Sequence, residues 1–462
     1  MALDETQVVI SLMRVLMIAV LLAVLVTVAL AVATSGAEQA KMPRLIQRLQ
    51  PEYLSRLHQA VVDFRADRKE LPSPPGLTDY RVVLHAHSNL SHDSPGTREE
   101  IVKAAHLAGV NAIFMSEHPA PTYDFFADGL RGVTEGVLFY PGAEGRGFLT
   151  YPTRTTDIRA PADDQALIDE IVGQGGLIFF CHPEERRNWD LHGMTGMEIY
   201  NPHADLLDEE GGWETIFIPG GEFSAAWLLK LAGVLRDYSN EVFCSIWDPN
   251  TKILAHWDEL CQTQRVTGIT ANDSHASGGV VITYEADDQV VIREILGEER
   301  ARLDAKQLDL VKLLGRQPKV GEQLLRVHFD PYERSFGYVS THVFAPELSE
   351  EALFSALQNG RCYVAFDWIA DPTGFEFEAR QGDRKIAMGE EAKWQQGTSL
   401  HVNVPIAAQI RLLRNGQPFS QLEGDSLACS LPEPAVYRVE VWTNLAGQDF
   451  AWIYSNPIYL RP

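Results

Sequence analysis

The chain has 462 residues, of which 39 are Lys or Arg and 63 are Asp or Glu, so its net charge is −24. This length exceeds one ordinary domain, and an apolar content of 45% is normal for a globular protein. The acidic balance argues against nucleic-acid binding through a broad basic surface. It does not exclude a small anionic substrate, because bound cations reverse the sign of the local electric field.

Residues 1–37 are predicted to form a signal anchor or a signal peptide. From Val15 to Ala33 the chain is apolar except for Thr27, and a helix of this length spans about 28 Å, close to the roughly 30 Å of a bilayer core. Small residues at 31–33 and 35–37 also offer cleavage sites. Both alternatives place the rest of the chain outside the cytoplasm, in the periplasm or at the cell surface. An uncleaved segment would make the membrane a partner.

Residues 38–79 are predicted to form a helical stalk that ends in a Pro-rich linker, "LPSPPG". Leu54, Leu57, Val61 and Phe64 recur at helical spacing and form one apolar face. Two alternatives stay open at this point. The helix either packs against the domain that follows or holds that domain away from the membrane.

Residues 80–370 repeat a pattern in which an apolar strand ends in His, Glu or Asp. Fully apolar strands that alternate with amphipathic helices predict an α/β domain with a buried parallel sheet. A capping box of Thr97 and Glu100, with Gly109 as the stop, marks the first such helix. If the sheet closes into a barrel, the strand ends meet on one face. The residues expected to converge are His85, His87, His118, Glu144, His182, Asp273 and His275.

These strand ends also carry a family resemblance. The segments "HAHSNLSHDS", "MSEHP", "PGAEGR", "FFCHP", "GMEIYNPHAD" and "TANDSHA", in this order, resemble the polymerase and histidinol phosphatase (PHP) domain between Tyr80 and Gly279. Two of these segments and the C-terminal region are most similar to the branch that includes carbaryl hydrolase-like proteins. The resemblance implies a distorted seven-stranded (β/α) barrel and a site for two or three divalent metal ions.

The resemblance also implies a ligand set. His85 and His87 would bind one metal ion with Asp273, and Glu144 would bridge that ion to a second one. The remaining ligands would be His182 on the second ion, and His118 and His275 on a third.

Two positions depart from the family pattern. The third ion needs a further ligand from the turn "SHDS", which offers His92 and Asp93. Alignment through residues 97–100 favours Asp93, with His92 as the alternative. Glu117 stands where the family usually has Asp, so its contact with the metal ligands must be aimed differently.

A mixed set of His, Asp and Glu ligands accepts Zn, Mn or Fe. Such ions polarise a phosphoryl or carbonyl oxygen and lower the pKa of a bound water from about 16 toward 7. Glu144 can bridge two ions through its two oxygens, so a water between those ions, held with the help of Asp273, is the predicted nucleophile. His203 and Arg146 are predicted to contact the substrate, and Arg186 and Arg187 are comparably placed. An Arg facing the site would favour an anionic substrate.

The predicted function is metal-dependent hydrolysis of a small-molecule substrate, and the resemblance favours phosphoesters. A carbamate or carboxyl ester hydrolase on the same site is the alternative, and a neutral, aromatic-lined pocket would distinguish it. A third possibility, of another class, is a non-catalytic, metal-stabilised binding protein at the cell surface.

The rest of the chain is predicted from its local patterns. Residues 204–260 form an insertion near the metal face, where we expect substrate specificity to be set. A charged helix is predicted from Val291 to about Leu314. Residues 371–462 alternate apolar and polar positions and carry an Asn415-Gly416 hairpin signal, so they are predicted to form a small all-β sandwich.

Overall fold

In the computed structural model, the structure describes residues 44–186, 188–208, 212–217, 225–306 and 310–462. The predicted anchor or signal segment lies outside these residues. No helix within them is both long and apolar enough to cross a membrane. The helices are α1 (Arg44–Arg48), α2 (Pro51–Ala66), α3 (Arg98–Ala108), α4 (Phe125–Asp128), α5 (Asp164–Gly173), α6 (Pro202–Asp208), α7 (Gly212–Phe217), α8 (Ala225–Asp237), α9 (Thr251–Thr263), α10 (Leu310–Leu314), α11 (Tyr332–Tyr338) and α12 (Glu350–Gln358), with 3-10 turns at Pro183–Glu185, Val242–Ser245 and Ala286–Asp288.

The strands belong to a large mixed sheet and a smaller antiparallel one, so the predicted α/β class is confirmed. They are β1 (Thr78–Ala86), β2 (Ala112–Phe114), β3 (Gly132–Thr134), β4 (Val137–Tyr140), β5 (Ala143–Gly145), β6 (Phe148–Tyr151), β7 (Leu177–Phe180), β8 (Gly196–Tyr200), β9 (Thr267–Ser274), β10 (Gly279–Glu285), β11 (Gln289–Glu294), β12 (Glu299–Asp304), β13 (Glu322–His328), β14 (Ser340–Ala345), β15 (Cys362–Ala365), β16 (Glu376–Gln381), β17 (Arg384–Ala387), β18 (Glu391–Lys393), β19 (Ser399–Arg414), β20 (Gln417–Ser430), β21 (Ala435–Leu445), β22 (Gln448–Ser455) and β23 (Ile458–Arg461).

Strand β1 lies at the centre of the part that carries the predicted ligands. It runs parallel to β2 on one side and to β9 on the other, and its first half pairs antiparallel with β14. Further pairings are parallel between β2 and β4, β7 and β8, and β8 and β9. The carboxyl ends of these strands therefore point the same way, and the site is built from them.

The sheet is mixed, whereas the apolar strands alone predicted a parallel one. Strand β6 pairs antiparallel with both β5 and β7. The cause is a tight turn at Arg146 and Gly147, whose φ angles are 59° and 77°. This turn sends the chain straight back along β5, so no crossover helix separates the two strands.

The predicted capping of α3 is confirmed. The Thr97 side chain accepts from the Glu100 backbone N–H, and Glu100 in turn accepts from the Thr97 N–H. The helix ends at Gly109, whose φ of 70° lies in the left-handed region that favours glycine. Ile101, Val102 and Ala105 face the core, so this helix covers the sheet behind the first ligand strand.

The predicted helix between Val291 and Leu314 is wrong for most of its length. Strands β11 and β12 occupy residues 289–304 and, with β10 and β13, form a four-stranded antiparallel sheet. Val290, Val291 and Ile292 are all buried, and β-branched residues pack well on a pleated sheet. Gly297, with φ of 98°, makes the hairpin turn. Only α10 keeps the predicted helical form.

Helices α1 and α2 pack against the rest of the protein, which resolves the alternative left open for residues 38–79 in the part that the structure describes. Leu54, Leu57 and Val61 are at most 1% exposed. The Arg65 guanidinium donates to the carbonyl oxygens of Trp368 and Ile369 at 2.6 and 2.8 Å. The segment is therefore part of the fold.

The last 90 or so residues consist of strands, as predicted. Strand β19 pairs with β16, β20 and β21, and the Asn415-Gly416 turn joins β19 to β20 with both φ angles positive. Strand β22 pairs with β15, so the sheet continues from the ligand-bearing part into this region. The division into a barrel domain at 80–370 and a sandwich domain at 371–462 stays a prediction.

Candidate metal centre

The predicted ligands all come from strand ends or from the turns that follow them, and the structure brings them together. His85 lies in β1, and Glu144 and Asp273 lie in β5 and β9. The remaining members of this ligand cluster lie in the segments that follow strands: His87 and Asp93 after β1, His118 after β2, His182 after β7 and His275 after β9.

One group within the cluster contains His85, His87, Glu144 and Asp273, whose ligand atoms lie within 4.8 Å of one another. The Nε2 atom of His85 is 3.2 Å from Glu144 Oε2 and 3.2 Å from Asp273 Oδ1. His87 Nε2 is 3.4 and 3.6 Å from the same two oxygens. Two imidazoles thus face two carboxylates around one point.

A second group contains His87, Asp93, His118 and His275. Asp93 Oδ2 lies 3.1 Å from His118 Nε2 and 3.2 Å from His275 Nε2. His92, the alternative to Asp93, is exposed, although its ring centroid is 5.3 Å from that of His118. The geometry therefore favours Asp93 as the ligand from this turn.

Glu144 contacts several histidines of the ligand cluster through its two carboxylate oxygens. Its Oε2 faces His85 and His87 and lies 3.5 Å from His118 Nδ1, whereas its Oε1 lies 3.0 Å from His182 Nε2. A carboxylate with partners on both oxygens is suited to bridging two cations. His182 Nε2 also lies 3.5 Å from an Asp273 oxygen, which ties it to the same centre.

His203, predicted from its position in the sequence alone, reaches the cluster. Its Nδ1 lies 2.9 Å from Asp273 Oδ2, and together with Asp273 and His275 it forms a third group of possible ligands. Its side chain is about a quarter exposed. The ring therefore lies at the boundary between the ligand cluster and solvent.

The polar atoms of the cluster fit metal ions. His85 Nε2, His87 Nε2, Asp93 Oδ1 and Asp273 Oδ1 are buried and make no hydrogen bond to any described residue. A buried polar group without a partner typically costs about 1–3 kcal/mol. Imidazole nitrogens and carboxylate oxygens that converge in this way are the donor set of Zn, Mn and Fe sites.

Charges within the cluster shift the histidine pKa values in opposite directions. Burial acts to lower the pKa of His85, but Asp273 and Glu144 outweigh it and raise that pKa well above its usual range. Against the same effect of burial, carboxylates raise the pKa of His182 to about 12 and that of His275 to about 9. Burial and the neighbouring His275 lower the pKa of His87 to about 3. The carboxylates of the cluster thus favour positive charge on the neighbouring imidazoles His85, His182 and His275.

Glu198 supports the cluster from behind. It is fully buried in β8, and its Oε1 accepts from His85 Nδ1 at 2.6 Å. Its Oε2 accepts from the His182 backbone N–H at 3.0 Å. A carboxylate on the far nitrogen of a ligand histidine fixes the tautomer and the ring orientation. Glu198 was not among the predicted site residues, although a Glu inside the apolar strand "MEIY" must find a buried partner.

The Glu117 side chain binds the loop between β1 and α3, whereas its backbone carbonyl accepts from the Glu144 N–H. Its two carboxylate oxygens accept from the hydroxyls of Ser88 and Ser91 at 2.6 and 2.7 Å. The Ser91 hydroxyl also lies 3.2 Å from His87 Nδ1. The Glu117 carboxylate is thus linked to His87 through the Ser91 hydroxyl.

Arg146, predicted to contact substrate, has other partners. Its guanidinium donates to the Pro161 carbonyl oxygen at 2.9 Å and pairs with Asp164 at 3.2 Å. Arg186 lies over the rings of Phe148 and Phe180. Arg187 lies outside the described residues. The structure therefore brings neither Arg146 nor Arg186 into the ligand cluster.

The backbone is left-handed at three ligand positions. The φ angles of His85, His182 and Asp273 are 68°, 45° and 48°. For residues other than glycine this conformation costs roughly 1–2 kcal/mol each. Such residues concentrate at functional sites, where the surrounding structure holds them in place. The left-handed backbone at these three positions therefore marks them as candidates for a functional site.

Comparison with solved structures gives a distant similarity. No family model matches the chain, and no curated protein matches it. Among solved structures, the chain is similar to a two-domain protein from Bacteroides vulgatus ATCC 8482, described as containing a predicted PHP-like metal-dependent phosphoesterase. The sequence identity is 15%, the TM-score is 0.32, and the match covers 84% of this chain and 98% of the other.

Proposed function

We propose that the protein is a metal-dependent hydrolase of the PHP type, acting on a phosphoester. The observation that carries the proposal is the position of Glu144, whose Oε2 lies 3.2 Å from His85 Nε2 while its Oε1 lies 3.0 Å from His182 Nε2. A purely structural metal site needs no such bridging carboxylate. This argues against the third possibility, a non-catalytic binding protein.

Each residue has a distinct part in the proposed reaction. Divalent cations, when bound, would polarise the oxygen of the scissile group and acidify a water. His85 and His182 are oriented by Glu198, which holds both through hydrogen bonds. His203 Nδ1 lies against Asp273, and the ring borders the adjoining cavity. It is therefore placed to pass a proton to the leaving group.

A carbamate or carboxyl ester hydrolase is the second candidate, and one observation favours it. Nine of the described residues that line the cavity beside the cluster have apolar side chains. Its cationic lining residue among those described is Arg300, which pairs with Glu294. The side chains of the cavity thus offer little excess positive charge to a dianionic phosphate, and the cations would have to supply it.

The finer predictions on fold and location extend this proposal. We infer that the ligand-bearing strands close as the distorted seven-stranded barrel, in the branch with carbaryl hydrolase-like proteins. A backbone bridge between Glu117 and Ala143, which brings β5 beside the end of β2, supports this closure.

We further propose that the apolar segment at 15–33 places the protein outside the cytoplasm. The length of that segment supports the proposal.

The test compares three substrates that share one aryl leaving group. The full chain is loaded separately with Mn and Zn, and the hydrolysis of an aryl phosphate, the aryl ester and the aryl N-methylcarbamate is measured. Phosphate release that is lost in Glu144→Gln and His87→Ala, but kept in His192→Ala at an exposed position, supports the phosphoesterase. Ester or carbamate cleavage without phosphate release would replace it with the second candidate. Full activity in Glu144→Gln would refute the bridging role.

A further inference from the structure

A cavity of about 530 Å³ opens directly beside the ligand cluster. His203, Asp273 and His275 form one end of it. Its volume lies within the range of about 300–1,000 Å³ typical of small-molecule sites. A molecule whose reactive group sits at the cluster would therefore extend its remaining atoms into this space.

The wall away from the cluster is apolar and comes from several separate elements. Leu228 in α8, Phe243 in a 3-10 turn and Ile292 in β11 are 1–4% exposed. The small sheet and the helical insertion thus meet here. The remaining apolar members of the wall are Leu206, Phe217, Ile246, Val280 and Leu296.

Several polar groups of the wall are engaged within the protein, although Asn272 Oδ1 is buried and makes no hydrogen bond to any described residue. The amide of Asn272 donates to the carbonyl oxygens of Ser335 and Val339, and the Ser274 and Ser335 hydroxyls share a hydrogen bond. Asp330 accepts from the Gly278 backbone N–H at 2.8 Å. A ligand with hydroxyl groups or a nucleobase would compete with these internal hydrogen bonds and would lose water without full compensation.

Two charged residues of the wall pair with each other, which also favours an uncharged ligand. Arg300 lies 2.5 Å from Glu294, and both line the cavity. With Asp330, the wall residues outside the ligand cluster carry no net positive charge in the part that the structure describes. A second anionic group, remote from the metal centre, would therefore find no counter-charge.

We propose that the substrate is an ester whose organic group is uncharged and apolar, and that this group binds in the cavity. The proposal rests on the proposed function, because it assumes that the ester group lies at the metal centre. Phe243, Ile292 and Leu296 then determine specificity through the size of the space they leave. Sugar phosphates and nucleotides are excluded as preferred substrates.

The experiment is a titration of the Zn-loaded full chain with methyl-, butyl- and hexylphosphonate. All three probes have the same anionic head, so a difference in Kd reports the alkyl chain. Burial of each methylene contributes about 0.8 kcal/mol, or about fourfold in Kd. We expect Kd to fall by about that factor for each methylene buried from methyl to butyl, and to fall further for hexyl.

The variant Leu296→Ser tests whether the alkyl chain of the phosphonate binds against the cavity wall. Leu296 is 47% exposed, so the change should leave folding intact, and Leu422→Ser at 46% exposure in β20 is its matched control. We expect Leu296→Ser to weaken hexylphosphonate about fivefold, since about half of a leucine side chain is at stake. Methylphosphonate should be unaffected by either variant. Phe243→Leu gives a second readout, with weaker binding of hexylphosphonate alone.

The outcomes separate this inference from the proposed function. Equal affinity for all three phosphonates would overturn the inference while leaving metal-dependent hydrolysis standing. A chain-length effect that Leu296→Ser and Leu422→Ser change equally would also overturn it, because the alkyl chain would then lie elsewhere. The dependence of Kd on chain length could be lost only in the cavity variants while the protein cleaves none of the test esters. That result would support binding of the alkyl chain in the cavity and would refute the proposed hydrolase activity.

Discussion

Replacing Glu198 with Gln should release metal without unfolding the protein. The Glu198 side chain is fully buried and accepts hydrogen bonds from His85 Nδ1 at 2.6 Å, from the His182 backbone N–H at 3.0 Å and from the Asn201 amide at 3.4 Å. Gln has nearly the same shape but a single acceptor oxygen and no charge. One of the two stronger donors must therefore face an NH₂ group.

The magnitude follows from these contacts. An unpaired buried donor costs about 1–3 kcal/mol of stability. The loss of a carboxylate behind a ligand histidine typically lowers metal affinity by about 10- to 100-fold, or about 1.4–2.7 kcal/mol. Because Glu198 holds His85 and the backbone of His182 together, we expect metal affinity to fall near the upper end of that range.

The assay is a competition for Zn between the protein and a chromogenic chelator, with thermal unfolding measured in parallel. Glu170→Gln, on the exposed face of α5, removes the same charge far from any described ligand and should change neither quantity. Wild-type metal affinity in Glu198→Gln would refute the reasoning. It would mean that the orientation of His85 does not depend on its hydrogen bond to Glu198.

Two further predictions concern buried charges away from the metal centre. Burial acts to lower the pKa of His342, but Asp79 and Asp367 raise it to about 10. Since this exceeds the unfolded value of about 6.5, the stability it contributes is complete below about pH 6.5 and is lost as pH rises toward 10. His342→Gln should therefore flatten the fall of Tm with pH across that window, and an unchanged slope would contradict the assignment. Arg438→Ala should lower the free energy of unfolding, measured by urea denaturation, by about 3–5 kcal/mol. The reason is that the substitution leaves Asp258 buried without its bidentate partner. Arg131→Ala, which breaks an exposed pair, should cost less than about 1 kcal/mol, and equal effects would refute the distinction.

The predicted ligands could be singled out from the sequence because most of them lie in or shortly after short apolar runs, such as residues 82–84 and Leu177–Phe180. The reasoning for His85 and His87 used the two-residue alternation of a strand. In the structure His85 has a left-handed backbone, and the pairing of β1 with β9 shifts between Leu84 and Ala86. The two rings still lie 5.3 Å apart. The alternation of a strand therefore predicted that the two rings lie close together, but the structure places them together through a different backbone geometry.

Contacts between distant segments could not be predicted in the same way. Arg146 follows Glu144 closely in sequence, but the turn that it forms with Gly147 commits its guanidinium to Pro161 and Asp164. The charged segment after Val291 has helical composition, yet its β-branched residues pair with β10. Tertiary pairing overrides local propensity in such segments. A single sequence does not show which partner strand is present.

The ligand cluster should make the fold depend on metal. Three of its residues hold left-handed backbone conformations, and four of its buried polar atoms make no hydrogen bond to any described residue. Both features destabilise the metal-free protein, whereas a cation that binds only the folded state stabilises it.

The size of that effect depends on the metal concentration. At 1,000 times Kd a single bound ion contributes about 4 kcal/mol. We therefore expect a chelator to lower Tm by several degrees, and Zn or Mn to restore it. His87→Ala should remove most of the difference between the metal-loaded and metal-free proteins, because His87 belongs to two of the ligand groups. His192→Ala should preserve it. Equal Tm values with and without metal would show that protons on the histidines stabilise the cluster as well as cations do, and the strained backbone would then need another explanation.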